Sequence, residues 1–287
     1  MSLELSLYPY QTKKININHG TTPIKYNYID EGHGNPVIMV HGNPTWSFYY
    51  RKLVEKLKDQ HRCIVPDHIG CGLSDKPQDY SYRLENHINN LDTLVKNLEL
   101  KSFDLIVHDW GGAIGFGLAT RYPEKINKIV ILNTAAFTSK NIPFRINLCR
   151  IPWFGEKFIR AFNGFAWPAT FMAVTKKMDP KVKKGYLHPY NNYNNRLATA
   201  RFVQDIPLNK SHPSYKTLKE IEDRLHLLKG KKLIVWGKKD FCFNDSFLKK
   251  WQEIYPDAQK IILKDAGHYV IEDCHEETLS SIKGFLQ

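Results

Sequence analysis

Five short apolar runs limit most strongly what this chain can become. Val37–Val40, Leu105–Val107, Ile129–Leu132, Leu233–Trp236 and Ile261–Leu263 are each three or four residues long, rich in β-branched side chains, and stop at polar or turn-forming residues. Runs this short and apolar on both faces read as strands buried in the middle of a parallel sheet. Between them the period changes. Across 82–99, Leu84, Ile88, Leu91, Val95 and Leu98 recur at spacings of four, three, four and three, which places all five on one helical face. Helices are also expected near 46–58, 112–121, 245–254 and 276–286. Strands alternating with helices predict an α/β fold, a mostly parallel sheet with helices on both faces.

The alternation stops between 134 and 215. No strand-like run occurs there, and aromatic residues and prolines crowd the segment. The expectation is a helical cap, 134–215, inserted into an α/β core formed by 1–133 and 216–287, and seated over the strand ends. Large apolar side chains are the usual lining of a concave site, so Phe144, Phe165, Trp167 and Phe171 are expected to face a substrate. The competing reading is that these rings only fill a second small core.

Charge tests other classes of function. The 287 residues carry 41 Lys and Arg against 29 Asp and Glu, a formal +12. That surplus invites a polyanion as partner. The lysines fall in pairs such as Lys13–Lys14, Lys176–Lys177 and Lys249–Lys250, never in a long block. A solvated lysine-rich surface is therefore expected, with no nucleic-acid partner and at most weak association with a membrane surface or a multienzyme assembly. Five cysteines without CxxC spacing suggest a reduced, cytoplasmic chain with no metal site. The N-terminal MSLELSLYPYQTKK lacks the apolar stretch of a secretory signal, and nowhere do about 18 apolar residues run together to span a bilayer.

The chemistry gathers at strand ends. Leu105-Ile-Val-His-Asp109-Trp-Gly-Gly-Ala-Ile has the layout of a strand, a sharp turn and a helix start, with Asp109 at the tip where a nucleophilic serine usually stands. Val107 replaces the glycine usual two positions earlier. Asp240 follows the run Leu233–Trp236, and His268 follows Ile261–Leu263. Nucleophile, acid and histidine thus come in the order such a site needs, each just past the carboxyl end of a strand. His41-Gly-Asn-Pro44 ends another strand, and the backbone N–H groups of Asn43 and Trp110 could form an oxyanion hole.

An aspartate needs no base to be charged at neutral pH, because its carboxyl ordinarily titrates near pH ~3.9. His268 is then free for a second step, oriented by Asp240. A carboxylate nucleophile suits an electrophilic carbon with an anionic leaving group: a carbon–halogen bond, an epoxide or a strained lactone. The side-chain N–H groups of Asn43 and Trp110 could cradle that anion. Epoxide opening would need phenolic acids, for which Tyr186, Tyr190 and Tyr193 are available. His108 reads as a hydrogen-bonded core residue, and Asp67 and Asp265 as loop-ordering carboxylates. The glycines of Pro66–Gly72 lack a Walker lysine, and Asn133 cannot supply an acid's charge.

His41-Gly-Asn-Pro-Thr-Trp46, His108-Asp-Trp-Gly-Gly112 and Asp265-Ala-Gly-His268 resemble the haloalkane dehalogenase family of α/β-hydrolases. Within that family they are most similar to its third subfamily and to the related β-lactone decarboxylases of bacterial long-chain olefin biosynthesis. Val65–Pro77, Leu132–Phe137, Arg201–Pro207 and Trp236–Phe243 extend the likeness over about 33–287. The resemblance implies an α/β-hydrolase fold, Asp109 as nucleophile, His268 as base, Asp240 as acid, Asn43 and Trp110 as anion donors, and no cofactor. It implies a hydrophobic small molecule as substrate: a cis-3,4-dialkyl β-lactone converted to an alkene and carbon dioxide, or alternatively a haloalkane. An epoxide hydrolase and a non-catalytic ligand receptor stand further off.

Overall fold

Eight strands form one sheet: β1 Lys13–Ile17, β2 Ile24–Glu31, β3 Asn35–Val40, β4 His61–Pro66, β5 Phe103–Asp109, β6 Ile126–Thr134, β7 Lys231–Gly237 and β8 Gln259–Leu263. The structure, a computed structural model, describes residues 6–287, so the start of the N-terminal segment lies outside it. The order across the sheet is β1-β2-β4-β3-β5-β6-β7-β8. From β4 to β8 every neighbouring pair is parallel, while β1 and β2 join antiparallel. The five apolar runs lie within β3, β5, β6, β7 and β8. Their side chains alternate between two cores: Ile38, Val40, Leu105 and Val107 pack into one, and Val37, Met39 and Ile106 into the other. Burial on both faces is why β3, β5, β6 and β7 read as unbroken apolar runs, whereas β8, expected to be buried, is an edge strand with Ile261 half-buried and Ile262 exposed.

Helices cover the two faces. On the first half of the chain are α1 Arg51–Leu57, α2 Leu84–Asn97 and α3 Trp110–Ala119. The helix expected from 46 begins instead as a 3-10 turn at Ser47–Tyr50. In α2, Leu84, Ile88, Leu91 and Val95 are buried against the sheet, but Leu98 lies past the helix end, where Glu99 takes a left-handed turn with φ 51°. Between β6 and β7 the chain makes α4 Phe144–Cys149, α5 Phe154–Phe162, α6 Ala166–Met172, α7 Pro180–Leu187, α8 Leu197–Gln204 and α9 Tyr215–Arg224. Leu218 and Ile221 pack α9 into the core that α2 and α3 share. The last helices are α10 Asp245–Ile254, α11 Val270–Asp273 and α12 His275–Leu286. Among the described residues no helix is long and apolar enough to cross a membrane.

Candidate active site

The turn from β5 into α3 sets up the site. Asp109 ends the strand with φ 52° and ψ −127°, and α3 begins at the next residue. A non-glycine residue in this region stores about 1–3 kcal/mol of strain, which here lifts the carboxylate clear of the strand end. Two close approaches depend on glycine. A Cβ on Gly111 would lie 1.9 Å from the Val40 carbonyl oxygen, so glycine lets α3 pack against β3. A Cβ on Gly42 would lie 2.1 Å from Asp109 Oδ1, so glycine leaves room for the carboxylate itself.

The two carboxylate oxygens have different neighbours. Asn43 N–H donates to Asp109 Oδ1 at 2.6 Å, and the Trp110 amide also donates to this carboxylate. Oδ2 faces His268 Nε2 at 3.6 Å. On the far side of the imidazole, Nδ1 lies 2.8 Å from Asp240 Oδ2. Cys242 N–H donates to Asp240 Oδ1 at 2.6 Å and fixes the acid's other oxygen. Asp240 follows β7 and His268 follows β8, so all three groups meet at the carboxyl edge of the sheet. Burial lifts the Asp109 carboxyl above its usual value, against the opposing pull of His268 and the two amides. Burial alone would lower His268, but the charge and hydrogen bond of Asp240, and then Asp109, raise it. Acid, imidazole and nucleophile thus stand in line, and Oδ2, facing the imidazole, is the oxygen left free to attack.

Asn133 is a site residue that residue type alone hides. It sits near the end of β6 with φ 25° and is fully buried. Its Nδ2 donates to Asp240 Oδ2 at 2.9 Å and to the Gly237 carbonyl at 3.0 Å, while its Oδ1 accepts from Gly237 N–H at 2.8 Å. The amide thereby ties β6 to the end of β7 and orients the carboxylate that orients His268. Asn133→Ala is expected to lower kcat by about 10²-fold through misplacement of Asp240 and His268. It should also cost about 1–3 kcal/mol of stability by leaving the buried Gly237 amide unpaired. Steady-state kinetics with a urea melt check both figures.

Above Asp109 lies a cavity of about 520 Å³, within the range of small-molecule sites. Asn43, Trp110, His268 and Tyr269 surround its floor, and Leu84, Phe137, Val203, Leu218 and Phe247 line one wall. The other wall comes from residues 146–172 alone: Ile146, Leu148, Phe154, Phe158, Phe165 and Met172. Of the four aromatics expected to face substrate, only Phe165 lines this cavity. Phe144, Trp167 and Phe171 are 74 %, 49 % and 51 % exposed and line none of the cavity. The short helices α4 and α6 turn Ile146 and Cys149, and Pro168, Ala169 and Met172, inward in their place. The three tyrosines considered as phenolic acids are also elsewhere: Tyr186 donates to Glu272, Tyr190 to the Thr45 carbonyl, and Tyr193 is exposed. The Trp110 indole N–H has no hydrogen-bond partner among the described residues. Asn43 Nδ2 donates to the Thr199 carbonyl at 3.1 Å, which leaves one of its two N–H bonds for an anion.

The remaining polar residues order the frame. His108 is fully buried beneath the histidine loop, its Nε2 2.9 Å from the His268 carbonyl, and burial pushes its pKa well down. Asp67 accepts from Ser47 N–H, Leu73 N–H and Asn27, closing the loop after β4. Asp265 lies exposed, 2.7 Å from Lys239. Asp273 joins the histidine loop to the α6–α7 connection by accepting from Gly267, Thr175 and Lys176 N–H groups.

Comparisons with known proteins agree with this architecture. A family model described as alpha/beta hydrolase fold matches residues 35–273. The chain is 48 % identical to a cis-3-alkyl-4-alkyloxetan-2-one decarboxylase of Shewanella oneidensis, over 91 % of this chain and 85 % of that one. It is 40 % identical to the decarboxylase of the same name from Xanthomonas campestris, over 98 % and 97 %. Haloalkane dehalogenase 2 of Mycobacterium tuberculosis is 26 % identical over 96 % and 95 %. The crystal structure of a haloalkane dehalogenase from Bradyrhizobium elkani superposes with a TM-score of 0.85 at 24 % identity, covering 96 % of this chain and 97 % of that one.

Proposed function

We infer the reaction from one premise: this chain belongs to the alpha/beta hydrolase fold family. It is a β-lactone decarboxylase that converts cis-3,4-dialkyl β-lactones to alkenes and carbon dioxide, as the names of its 48 % and 40 % identical relatives indicate. The observation that carries this reading is a carboxylate, in place of a serine, on the elbow at the floor of a large apolar cavity. Residues 134–215 act as the cap over that cavity. With its five cysteines free, the chain suits a reducing compartment, and we place the reaction in the cytoplasm.

Electron bookkeeping selects the carbon attacked. Attack on the lactone carbonyl would give an acyl-Asp109 and an alkoxide, which water resolves to a hydroxy acid and not to an alkene. Attack by Asp109 Oδ2 on the ring carbon bearing oxygen breaks that C–O bond and leaves a carboxylate on the neighbouring carbon. The bond to the carboxylate then breaks, its electrons form the double bond, and the Asp109 carboxylate departs with carbon dioxide released. Inversion in the first step followed by anti elimination in the second yields a cis alkene from a cis lactone. Trp110 and Asn43 line the cavity beside Asp109 and supply the donors that the departing carboxylate needs.

The unpartnered indole N–H of Trp110 also suits a halide, so haloalkane hydrolysis is the second reading. Purified chain should be given a cis-dialkyl β-lactone and, separately, bromo- and iodoalkanes. The expected result is cis alkene and carbon dioxide with negligible halide release. Brisk halide release without alkene sinks the decarboxylase reading.

A further inference from the structure

Among the described residues twelve large hydrophobic side chains are well exposed, and nine of them lie between Phe144 and Phe171. Helix α5 shows how they come to be bare. Its inner face buries Gly155 and Ile159, while Phe154, Phe158 and Phe162, spaced by four, form a second apolar stripe on the outer face. Their ring centroids follow one another at 6.4 and 6.0 Å. Phe144, Trp153 and Phe162 are 74 %, 77 % and 75 % exposed. A contiguous apolar face of this kind marks an interaction site.

The charge is concentrated on the same segment and is not spread over the chain as the lysine pairs suggest. Residues 134–215 hold 13 Lys and Arg against 3 Asp and Glu, a surplus of 10 out of the chain's 12. Cations sit beside the exposed rings: Lys157 lies 4.0 Å from the Trp153 ring centre and Lys183 lies 5.0 Å from that of Trp167. Aromatic rings flanked by cations are the chemistry that enters the headgroup region of an anionic bilayer. A duplex nucleic acid, its bases already stacked, would use the cations and leave the phenylalanine stripe without a purpose. The cavity also reaches this face, because Leu148, Phe154 and Phe158 both line it and are exposed.

We propose that the outer face of α4–α6 docks on an anionic lipid bilayer, so that long-chain substrate and alkene pass between bilayer and cavity at this mouth. Docking stands on the patch alone; the passage of those molecules rests on the decarboxylase reading. The test is co-sedimentation of the full chain with phosphatidylcholine vesicles, with and without phosphatidylglycerol. Binding is expected with the anionic vesicles at low salt, weakening as salt is raised, with a blue shift of the fluorescence of exposed Trp153 and Trp167. Phe144→Ser with Phe162→Ser should weaken binding by roughly tenfold or more. Neither ring lines the cavity, so that variant keeps its turnover of a short, water-soluble β-lactone. Lys157→Glu with Lys183→Glu gives a second variant, expected to lose the preference for anionic vesicles. No binding to anionic vesicles at low salt, or equal binding by both variants, overturns the proposal. So does a dimer that forms through the patch without vesicle binding, which assigns the face to a second copy. Vesicle binding by a chain that makes no alkene keeps the docking and sinks the reaction reading alone.

Discussion

Asp109→Asn is expected to reduce β-lactone turnover by about 10⁴-fold or more, the usual scale for removing a covalent nucleophile. The substitution changes few atoms. The side-chain oxygen still accepts from the Asn43 amide, and the turn with φ 52° tolerates asparagine better than most residues. What disappears is the negative charge on the oxygen facing His268 Nε2. A neutral amide cannot displace the ring oxygen of a lactone, so neither the alkyl-enzyme nor the alkene forms. His268 loses one of the two anions that raise its pKa but keeps Asp240. Thermal melting should place the variant close to the parent, which separates lost chemistry from lost fold. Retention of more than about one hundredth of the parent rate would show that another group is the nucleophile.

The same contrast between chemistry and packing explains what the sequence discloses. Strands β3, β5, β6 and β7 are legible because burial on both faces demands unbroken apolar runs, and β8, at the sheet edge, only through the Ile261–Leu263 run at its end. Strands β1 and β2 are not, since KKINI and IKYNYIDE mix lysine, asparagine and acidic residues on antiparallel partners near the sheet edge. Asp109, Asp240 and His268 are legible because each closes a visible strand. Asn133 closes one too, but its value lies in the β6–β7 pairing that brings its amide to Asp240, which no single strand reveals. Size alone would put Phe144, Trp167 and Phe171 inside. In α6, however, Trp167 and Phe171 are four apart and share the outer face, while Pro168, Ala169 and Met172 face the cavity. A helix of seven residues, apolar on every side but for Thr170, carries no periodic signal to say which face turns inward.

His268→Gln separates the two readings of the site by the need for water. A haloalkane alkylates Asp109 to an ester that only water can clear, and that water needs a base. A glutamine cannot take its proton, so hydrolysis should slow by about 10²–10⁴-fold and the Asp109 peptide should retain the alkyl mass. The β-lactone ester carries its own means of release, because loss of carbon dioxide supplies the electrons that expel Asp109. Alkene formation in the variant is therefore expected to stay within about 10²-fold of the parent, the loss reflecting positioning. The pH profiles of the parent follow the same logic. Neutral His268, required for hydrolysis, is lost as pH falls through a pKa raised above 6.5. The Asp109 carboxylate, which decarboxylation requires, is lost only as pH falls through a value raised from 3.8. Alkene formation should then persist to lower pH than halide release. Turnover in ¹⁸O-labelled water gives the third measure, since hydrolysis labels the Asp109 carboxylate and decarboxylation leaves it unlabelled. A β-lactone rate that collapses in His268→Gln, together with label entering Asp109 during alkene formation in the parent, would show that water attacks the enzyme ester and that ring-carbon attack followed by carbon dioxide loss is not the route.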